Sequence, residues 1–251
     1  MGSVDTRFLI IIVQSIMAII FGYLGFLVIK RDKKRLNLIF SAFYFFIVIG
    51  TVFNWTYAYL LPGDLYYVIL YLNYFTNFFY FASIGFILIF ILMVLKSEKI
   101  IDTKKQLLYL IINLGVLGGV MMILISIPVS NVYPGDIWGV YFKDAANSSP
   151  YWTLPFFLAV ILIITGLSVA PTLYYLIQTL KQFTDPDLKR KFKYFSFGYV
   201  ESCMFAYIII INNYLKIFAP GFTIIALALA IILVSTGAYL MYIGVGKQIS
   251  K

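Results

Sequence analysis

A long uncharged stretch that carries polar side chains at helical spacing constrains this chain most. No charged residue lies between Asp64 and Lys96, and a helix at about 1.5 Å per residue over Tyr66–Lys96 exceeds the ~30 Å hydrocarbon layer of a membrane. Five polar residues in it recur at i, i+3, i+4, i+7 and i+10, which places them on one helical face: Asn73, Thr76, Asn77, Tyr80 and Ser83. Amides left facing acyl chains would cost a few kcal/mol each. This polar stripe is therefore predicted to face other helices or an internal cavity.

The composition indicates an integral membrane protein. The chain is 63% hydrophobic and only 12% charged, whereas ordinary soluble domains are about 45–50% apolar and about 25% charged. Its polar stretches are too short for a separate soluble domain, since domains usually need about 100 residues. We therefore predict one membrane domain that covers residues 1–251.

Cysteine and histidine usage excludes several classes of site. The single cysteine, Cys203, rules out an internal disulfide and a cysteine-based metal cluster. The absence of histidine removes the commonest metal ligand and the commonest acid–base catalyst. We expect no metal, no cofactor and no catalytic residue, and hence no enzyme. The net charge of +9 is interpreted as membrane topology rather than nucleic-acid binding.

The hydropathy pattern predicts an all-α bundle of seven transmembrane helices. Each apolar run is long enough to cross a bilayer. The predicted spans are Phe8–Ile29, Leu36–Leu61, Tyr66–Leu95, Leu107–Val129, Tyr151–Leu180, Tyr194–Leu215 and Phe218–Gly244.

Basic residues predict the orientation of the bundle. Sixteen of the 19 lysines and arginines fall in the segments after spans 1, 3 and 5 and in the tail, and such residues stay in the cytoplasm. The N-terminus is therefore predicted outside and the C-terminus inside, in the cell membrane. The same residues would attract anionic lipid or dock a cytoplasmic or membrane protein partner. A glycosylation sequon begins at Asn147, in a loop on the predicted outer side.

Small residues and one proline predict local packing features. Gly115 and Gly119 form a GxxxG pair that is typical of close helix contacts in membranes. Pro171 lies deep in the fifth span and is predicted to kink it, because proline cannot donate the hydrogen bond to Leu167.

Amides and aromatics at similar estimated depth form a candidate ligand site in the outer half of the bundle. A cup of such groups between helices would suit a small or lipid-like molecule. Interhelical hydrogen bonding alone is an equally simple interpretation. The candidate ligand-binding residues are Gln14, Asn54, Trp55, Asn73, Thr76, Asn77 and Tyr80, with Thr51 and Asn212 at related depth.

Glu201 is the only formally charged residue inside a predicted span. An acid in a membrane helix costs at least ~3 kcal/mol on insertion scales and is a candidate for function by default. Three interpretations stay open: a satisfied structural acid, a coupling acid of a transporter or channel, or a switch element of a sensor.

Two segments carry a resemblance to a known family. The basic turn followed by Leu36–Phe46 looks like the second helix of the seven-transmembrane sensor region of prokaryotic, possibly archaeal, histidine kinases. Tyr71-Leu72-Asn73-Tyr74-Phe75, with the apolar run into Lys96-Ser97-Glu98-Lys99, is similar to their third helix. The resemblance implies a sensor-like membrane domain. No kinase follows, because the sequence stops at Ile249-Ser250-Lys251.

Three functions compete on these observations. The leading hypothesis is a receptor-like or sensor-like bundle that binds a small or lipid-like ligand between helices in its outer half. The second is a secondary transporter or channel that uses Glu201 as its coupling acid. The third is a non-catalytic subunit of a membrane complex.

Overall fold

The computed structural model describes residues 6–60, 65–123, 139–141, 150–219 and 221–246. The helices are α1 (Thr6–Arg31), α2 (Arg35–Leu60), α3 (Tyr66–Ile100), α4 (Thr103–Ile123), α5 (Leu154–Ile164), α6 (Ala170–Gln182), α7 (Pro186–Leu215) and α8 (Phe222–Met241). A π-helical segment, Thr165–Val169, joins α5 to α6 without a break, and a second one, Tyr242–Gly246, extends α8. A short antiparallel hairpin pairs β1 (Val140–Tyr141) with β2 (Tyr151–Trp152).

Within the described residues, seven helices are long and apolar enough to cross a membrane, with α5, the π segment and α6 counting as one. The prediction of seven apolar helices is confirmed. Two helices begin earlier than predicted because polar caps lie upstream of the apolar runs. The Asp185 carboxylate accepts the backbone N–H of Asp187 at 2.8 Å, which starts α7 at Pro186 rather than at Tyr194. Asp102 accepts the Lys105 N–H at 2.9 Å in the same way at the start of α4.

Helix α3 is the centre of the bundle. Protein buries 78% of an 18-residue apolar stretch of its span, against 22% for the corresponding stretch of α4. All five residues of the polar stripe are buried, from 1% exposed for Ser83 to 7% for Asn73. The prediction that the stripe faces inward is confirmed. Its neighbours are α2, α4, α6 and α7.

The chain enters and leaves the bundle at opposite ends. Trp55, near the end of α2, donates its indole N–H to the Ile11 carbonyl near the start of α1 at 3.2 Å. Arg31, at the end of α1, donates to the Val245 carbonyl beyond α8 at 2.9 Å. We call the first end the hairpin end, since it also holds β1 and β2, and the second the basic end.

The hairpin is built on a glycine that no other residue would easily replace. Gly139 has φ 118°, a conformation that L side chains rarely adopt. Its N–H donates to the Thr153 hydroxyl at 2.9 Å, and its carbonyl accepts the Thr153 backbone N–H at 2.9 Å. This closure buries Trp152 against the Phe156 ring, with ring centroids 4.8 Å apart. The Asn147 sequon lies outside the described residues.

Close helix packing occurs between α7 and α8, not at the predicted GxxxG pair. Among the described residues, no atom lies within 4 Å of a Cβ built on Gly115 or Gly119, and both are exposed on α4, so that prediction was wrong. Gly118 faces the bundle instead, where a Cβ would meet Phe78 at 3.1 Å. On the α7–α8 seam, a Cβ on Gly237 would meet the Gly198 carbonyl at 2.8 Å.

The irregularity predicted at Pro171 takes the form of the π segment before it. Pro171 follows the π segment directly in a continuous helix, where it cannot donate the usual backbone hydrogen bond. The buried positions of this span recur every four residues, at Phe156, Val160, Ile164, Ser168, Thr172 and Leu176. Four residues of α-helix overshoot a full turn by about 40°. The wider π turn takes back part of that drift and so keeps these side chains on one face.

Candidate functional site

A cavity of about 190 Å³ lies at the hairpin end among α1, α2, α3, α7 and α8. Six of the seven predicted ligand-binding residues line it: Gln14, Asn54, Asn73, Thr76, Asn77 and Tyr80. The remaining lining residues are Tyr57, Ile208, Ile209, Asn212, Asn213, Lys216, Thr223, Ala226, Leu227 and Ala230. Five helices, some of them far apart in the sequence, thus supply one concave site rich in amides.

Trp55 is the predicted residue that does not line this cavity. Its side chain is 37% exposed and its indole N–H is taken by the Ile11 carbonyl. Asn54 and Trp55 point apart because consecutive residues of a helix are about 100° apart. Trp55 therefore links α2 to α1 at the boundary of the bundle.

Part of the amide set is an interhelical hydrogen-bond chain between α7 and α3. The Asn213 amide donates to Asn77 Oδ1 at 3.1 Å, and the Asn77 amide donates to the Asn73 carbonyl at 2.8 Å. Both Asn77 and Asn213 are buried. This chain holds the α3 and α7 walls of the cavity together.

A second hydrogen-bond chain joins α3 to α1 and α2. The Tyr80 hydroxyl donates to Gln14 Oε1 at 2.8 Å and lies 3.3 Å from the Thr51 hydroxyl. Both hydrogen-bond chains cross the bundle, so the cavity lies between helices that are hydrogen-bonded to one another.

We expect Asn77 and Asn213 to stabilise the bundle as a pair. Asn77→Leu or Asn213→Leu should each leave the other amide with one fewer partner, whereas the double variant removes the pair. A double-mutant cycle should give a coupling of about 0.6 kcal/mol, with ~1.7 kcal/mol as the upper end for membrane proteins. Thermal or denaturant unfolding of the four proteins in the same detergent measures it. Additive losses would show that the contact carries no energy.

Asn213 and Lys216 also line the cavity, although neither was predicted as a member of the site. Ile209, Asn212, Asn213 and Lys216 recur at i, i+3, i+4 and i+7 and share one face of α7 and its C-cap. This spacing is visible in the sequence. Lys216 was not grouped with the other three residues because it falls beyond the apolar run, where it was interpreted only as one of three basic residues on the predicted outer side.

Lys216 is the only charged residue that lines the cavity among the described residues. It is half-buried, and its ammonium lies 5.2 Å from the centroid of the Tyr151 ring in a cation–π arrangement. It follows Leu215, the last residue of the candidate span. Removal of the ammonium from water lowers the pKa of Lys216 to about 7.

One amide oxygen of the site has no hydrogen-bond donor. Asn212 Oδ1 is buried and has no partner among the described residues. Buried polar atoms are normally paired, so this oxygen lacks the donor that such an atom usually has.

Glu201 lies apart from the cavity. It is half-buried on α7, with its Cβ 3.1 Å from where a Cβ of Gly237 would stand, and its Oε2 has no hydrogen-bond partner in the described structure. Eleven helical residues separate it from Asn212, which is about 16 Å along the axis. Two polar side chains on other helices have partners of their own: Tyr44 donates to the Ala238 carbonyl and Asn113 donates to the Ser168 hydroxyl.

The arrangement offers several groups that can hold a polar molecule. The walls offer neutral amides, hydroxyls, an apolar side from α8 and one ammonium. Among the described residues, no group of three His, Cys, Asp or Glu could hold a metal ion. No family model matches the chain, and no curated protein or solved structure shows significant similarity to it.

Proposed function

We propose that the protein is a receptor-like membrane protein that binds a small molecule in the amide-lined cavity at the hairpin end. The observation that carries the proposal is the convergence of five asparagines, one glutamine and one lysine on a single cavity of about 190 Å³. Interhelical hydrogen bonding explains Asn77 and Asn213, but it leaves Asn212 Oδ1 unpaired. Binding sites combine such a concave surface with a few polar groups that orient the ligand.

The proposed orientation puts the hairpin end outside the cell membrane. Sixteen of 19 basic residues belong to the segments at the basic end or to the tail, and basic residues stay in the cytoplasm. A ligand would then arrive from outside, and the basic end would meet anionic lipid or a protein partner. Cysteine labelling of Ala219→Cys at the hairpin end and Thr184→Cys at the basic end, both exposed and outside the candidate spans, measures this orientation: a membrane-impermeant reagent outside intact cells should modify only Ala219→Cys.

A ligand screen by thermal shift tests the binding function. Metabolites and lipids are added to the purified protein, and a binder raises the Tm in proportion to its concentration over its Kd. We expect every true hit to be lost in Asn212→Leu, which removes a polar group of the cavity without breaking a described hydrogen bond.

The matched control is Met204→Leu, a substitution of similar volume on the lipid-facing side of the same helix, where Met204 is 49% exposed. It should retain every hit. Hits that survive Asn212→Leu unchanged would contradict the cavity as the binding site, and a screen without hits would contradict the function.

A transporter that uses Glu201 is the rival proposal. The buried, unpartnered Oε2 of Glu201 favours it. The separation of that acid from the cavity favours simple binding. Proton-coupled flux in proteoliposomes that is abolished by Glu201→Gln would establish the rival.

A further inference from the structure

The charge of the cavity wall restricts the ligand. Lys216 is the one cation of the lining in the described structure, and no acidic residue accompanies it there. The two salt bridges of the described residues lie elsewhere and involve Asp32 and Asp187. The half-buried Lys216 ammonium is stacked on Tyr151 but has no carboxylate partner in the described structure, whereas buried charges are normally paired. An anionic group on the ligand would complete it.

Size and polarity restrict the ligand further. A cavity of about 150 Å³ holds a molecule as large as benzene, and the volume here is about 190 Å³. One positive charge among neutral amides suits a monoanion better than a phosphate dianion. The unpaired Asn212 Oδ1 requires a hydroxyl or ammonium donor, and Ala226, Leu227 and Ala230 form an apolar wall on α8.

We propose that the cavity binds a small organic carboxylate that also carries a hydroxyl or ammonium donor and a short apolar side chain, with Lys216 holding its carboxylate and Asn212 its donor. Hydroxy acids and amino acids with about eight non-hydrogen atoms have this chemistry. This inference rests on the proposed binding function and specifies its ligand class.

Four matched probes test the charge requirement. Valine and 2-hydroxyisovalerate carry the carboxylate, 2-hydroxyisovaleramide is neutral and valinamide is cationic. We expect both carboxylates to raise the Tm and to bind at least about tenfold more tightly than the two amides. Equal binding of 2-hydroxyisovaleramide, or no effect of either carboxylate at about 10 mM, would overturn the assignment.

Substitution of the lysine tests its role. Lys216→Met keeps the length of the side chain but removes the charge, and should weaken carboxylate binding by about 10- to 100-fold. Lys216→Arg should restore most of it. The matched control is Lys96→Met, because the Lys96 ammonium also lies over a tyrosine, 5.9 Å from the Tyr175 centroid, but at the basic end. The Tm without ligand verifies that each variant folds.

The pH dependence gives an independent readout. The other titratable groups that face the cavity or the ammonium are the phenols of Tyr57, Tyr80 and Tyr151, and the ordinary pKa of a phenol is about 10. Asp64, Asp136 and Asp144 belong to segments outside the described residues. Since the anion needs the charged ammonium, affinity should fall by about tenfold from pH 6 to pH 8, as Lys216 loses its proton near pH 7. Lys216→Arg should abolish this fall; a flat profile in the unaltered protein would count against Lys216.

The same carboxylate chemistry is offered by a free molecule and by a serine lipid headgroup. Nanodiscs of phosphatidylcholine, with and without phosphatidylserine, separate these sources. A free ligand binds equally in both, whereas a headgroup ligand would compete with valine only where phosphatidylserine is present. Either result supports the carboxylate.

The failure of this inference is distinguishable from failure of the binding function. If the screen finds a neutral or cationic compound that Asn212→Leu abolishes, the cavity binds a ligand but the carboxylate assignment is wrong. If no compound binds at all, both are wrong.

Discussion

Gly198→Leu should prevent the protein from folding into a stable bundle. A Cβ at this position would overlap the backbone carbonyl of Gly237 and would lie 2.7 Å from the Met241 backbone nitrogen. Neither contact is with a flexible side-chain tip, so α7 and α8 must separate to admit the new atoms. Overpacking in well-packed cores costs about 1–3 kcal/mol and sometimes more, and a leucine between two backbones belongs at the upper end. Even Gly198→Ala should lower the Tm by about 6 °C or more.

The control is the same substitution at Gly115, where the GxxxG pattern predicts close packing but the described residues show none. Gly115→Leu adds an apolar side chain on α4 where no atom lies within 4 Å. It should leave the Tm within about 2 °C of the unaltered protein, since an apolar side chain facing lipid is well tolerated and leucine is a better helix former than glycine. Size-exclusion profiles and thermal unfolding in detergent measure both variants. A stable Gly198→Leu would refute the described α7–α8 seam, and a collapse of Gly115→Leu would show that α4 packs against another surface.

Inserting one alanine after Gly166 should be nearly as damaging, although no described atom lies within 4 Å of where a Cβ of Gly166 would stand. Gly166 is exposed and lies inside the π segment Thr165–Val169. The wider π turn already absorbs the drift of this span, so one more residue rotates α6 by about 100° against α5. The buried positions before and after the segment, such as Val160 and Thr172, would no longer share a face.

The insertion would also break the link between α4 and this span. The Asn113 amide donates to the Ser168 hydroxyl at 2.8 Å, and Ser168 moves with the rotation. We expect a fall in Tm of more than about 10 °C or a loss of monodisperse protein. Gly166→Ala is the matched control: it keeps the register and should be neutral or stabilising by about 0.5–1 kcal/mol. An insertion variant that melts within about 2 °C of the unaltered protein would show that the register of this span has no structural role.

Depth along a helix could be predicted from the sequence, and it located most of the cavity. Gln14, Asn54, Asn73 and Asn77 were grouped because counting at about 1.5 Å per residue puts them near one membrane face, and all four line the cavity. The same counting could not separate Trp55 from Asn54, because it ignores rotation about the helix axis. Counting depth also could not assign Lys216 to the cavity, since this residue lies past the apolar run and looked like an ordinary loop lysine.

Close packing could not be predicted in the same way. A GxxxG pattern states only that a helix has a flat, narrow face, and whether a partner covers it depends on the other helices. On α4 the aromatic side chains of α3 meet Gly118, and Gly115 is turned to the outside. On the α7–α8 seam the glycines belong to two different helices, Gly198 and Gly237. No pattern within one helix reports such a pairing.

The sequence by itself determined that this is a seven-helix membrane chain and that the polar stripe of the third span is turned away from lipid. Both follow from the thickness of the hydrocarbon layer and from the cost of an unpaired amide in it, which act on each helix separately. Only the tertiary structure decided which helices share the cavity, that Lys216 enters it and that Glu201 does not. These depend on the rotation and neighbours of each helix, which are set by packing over the whole bundle.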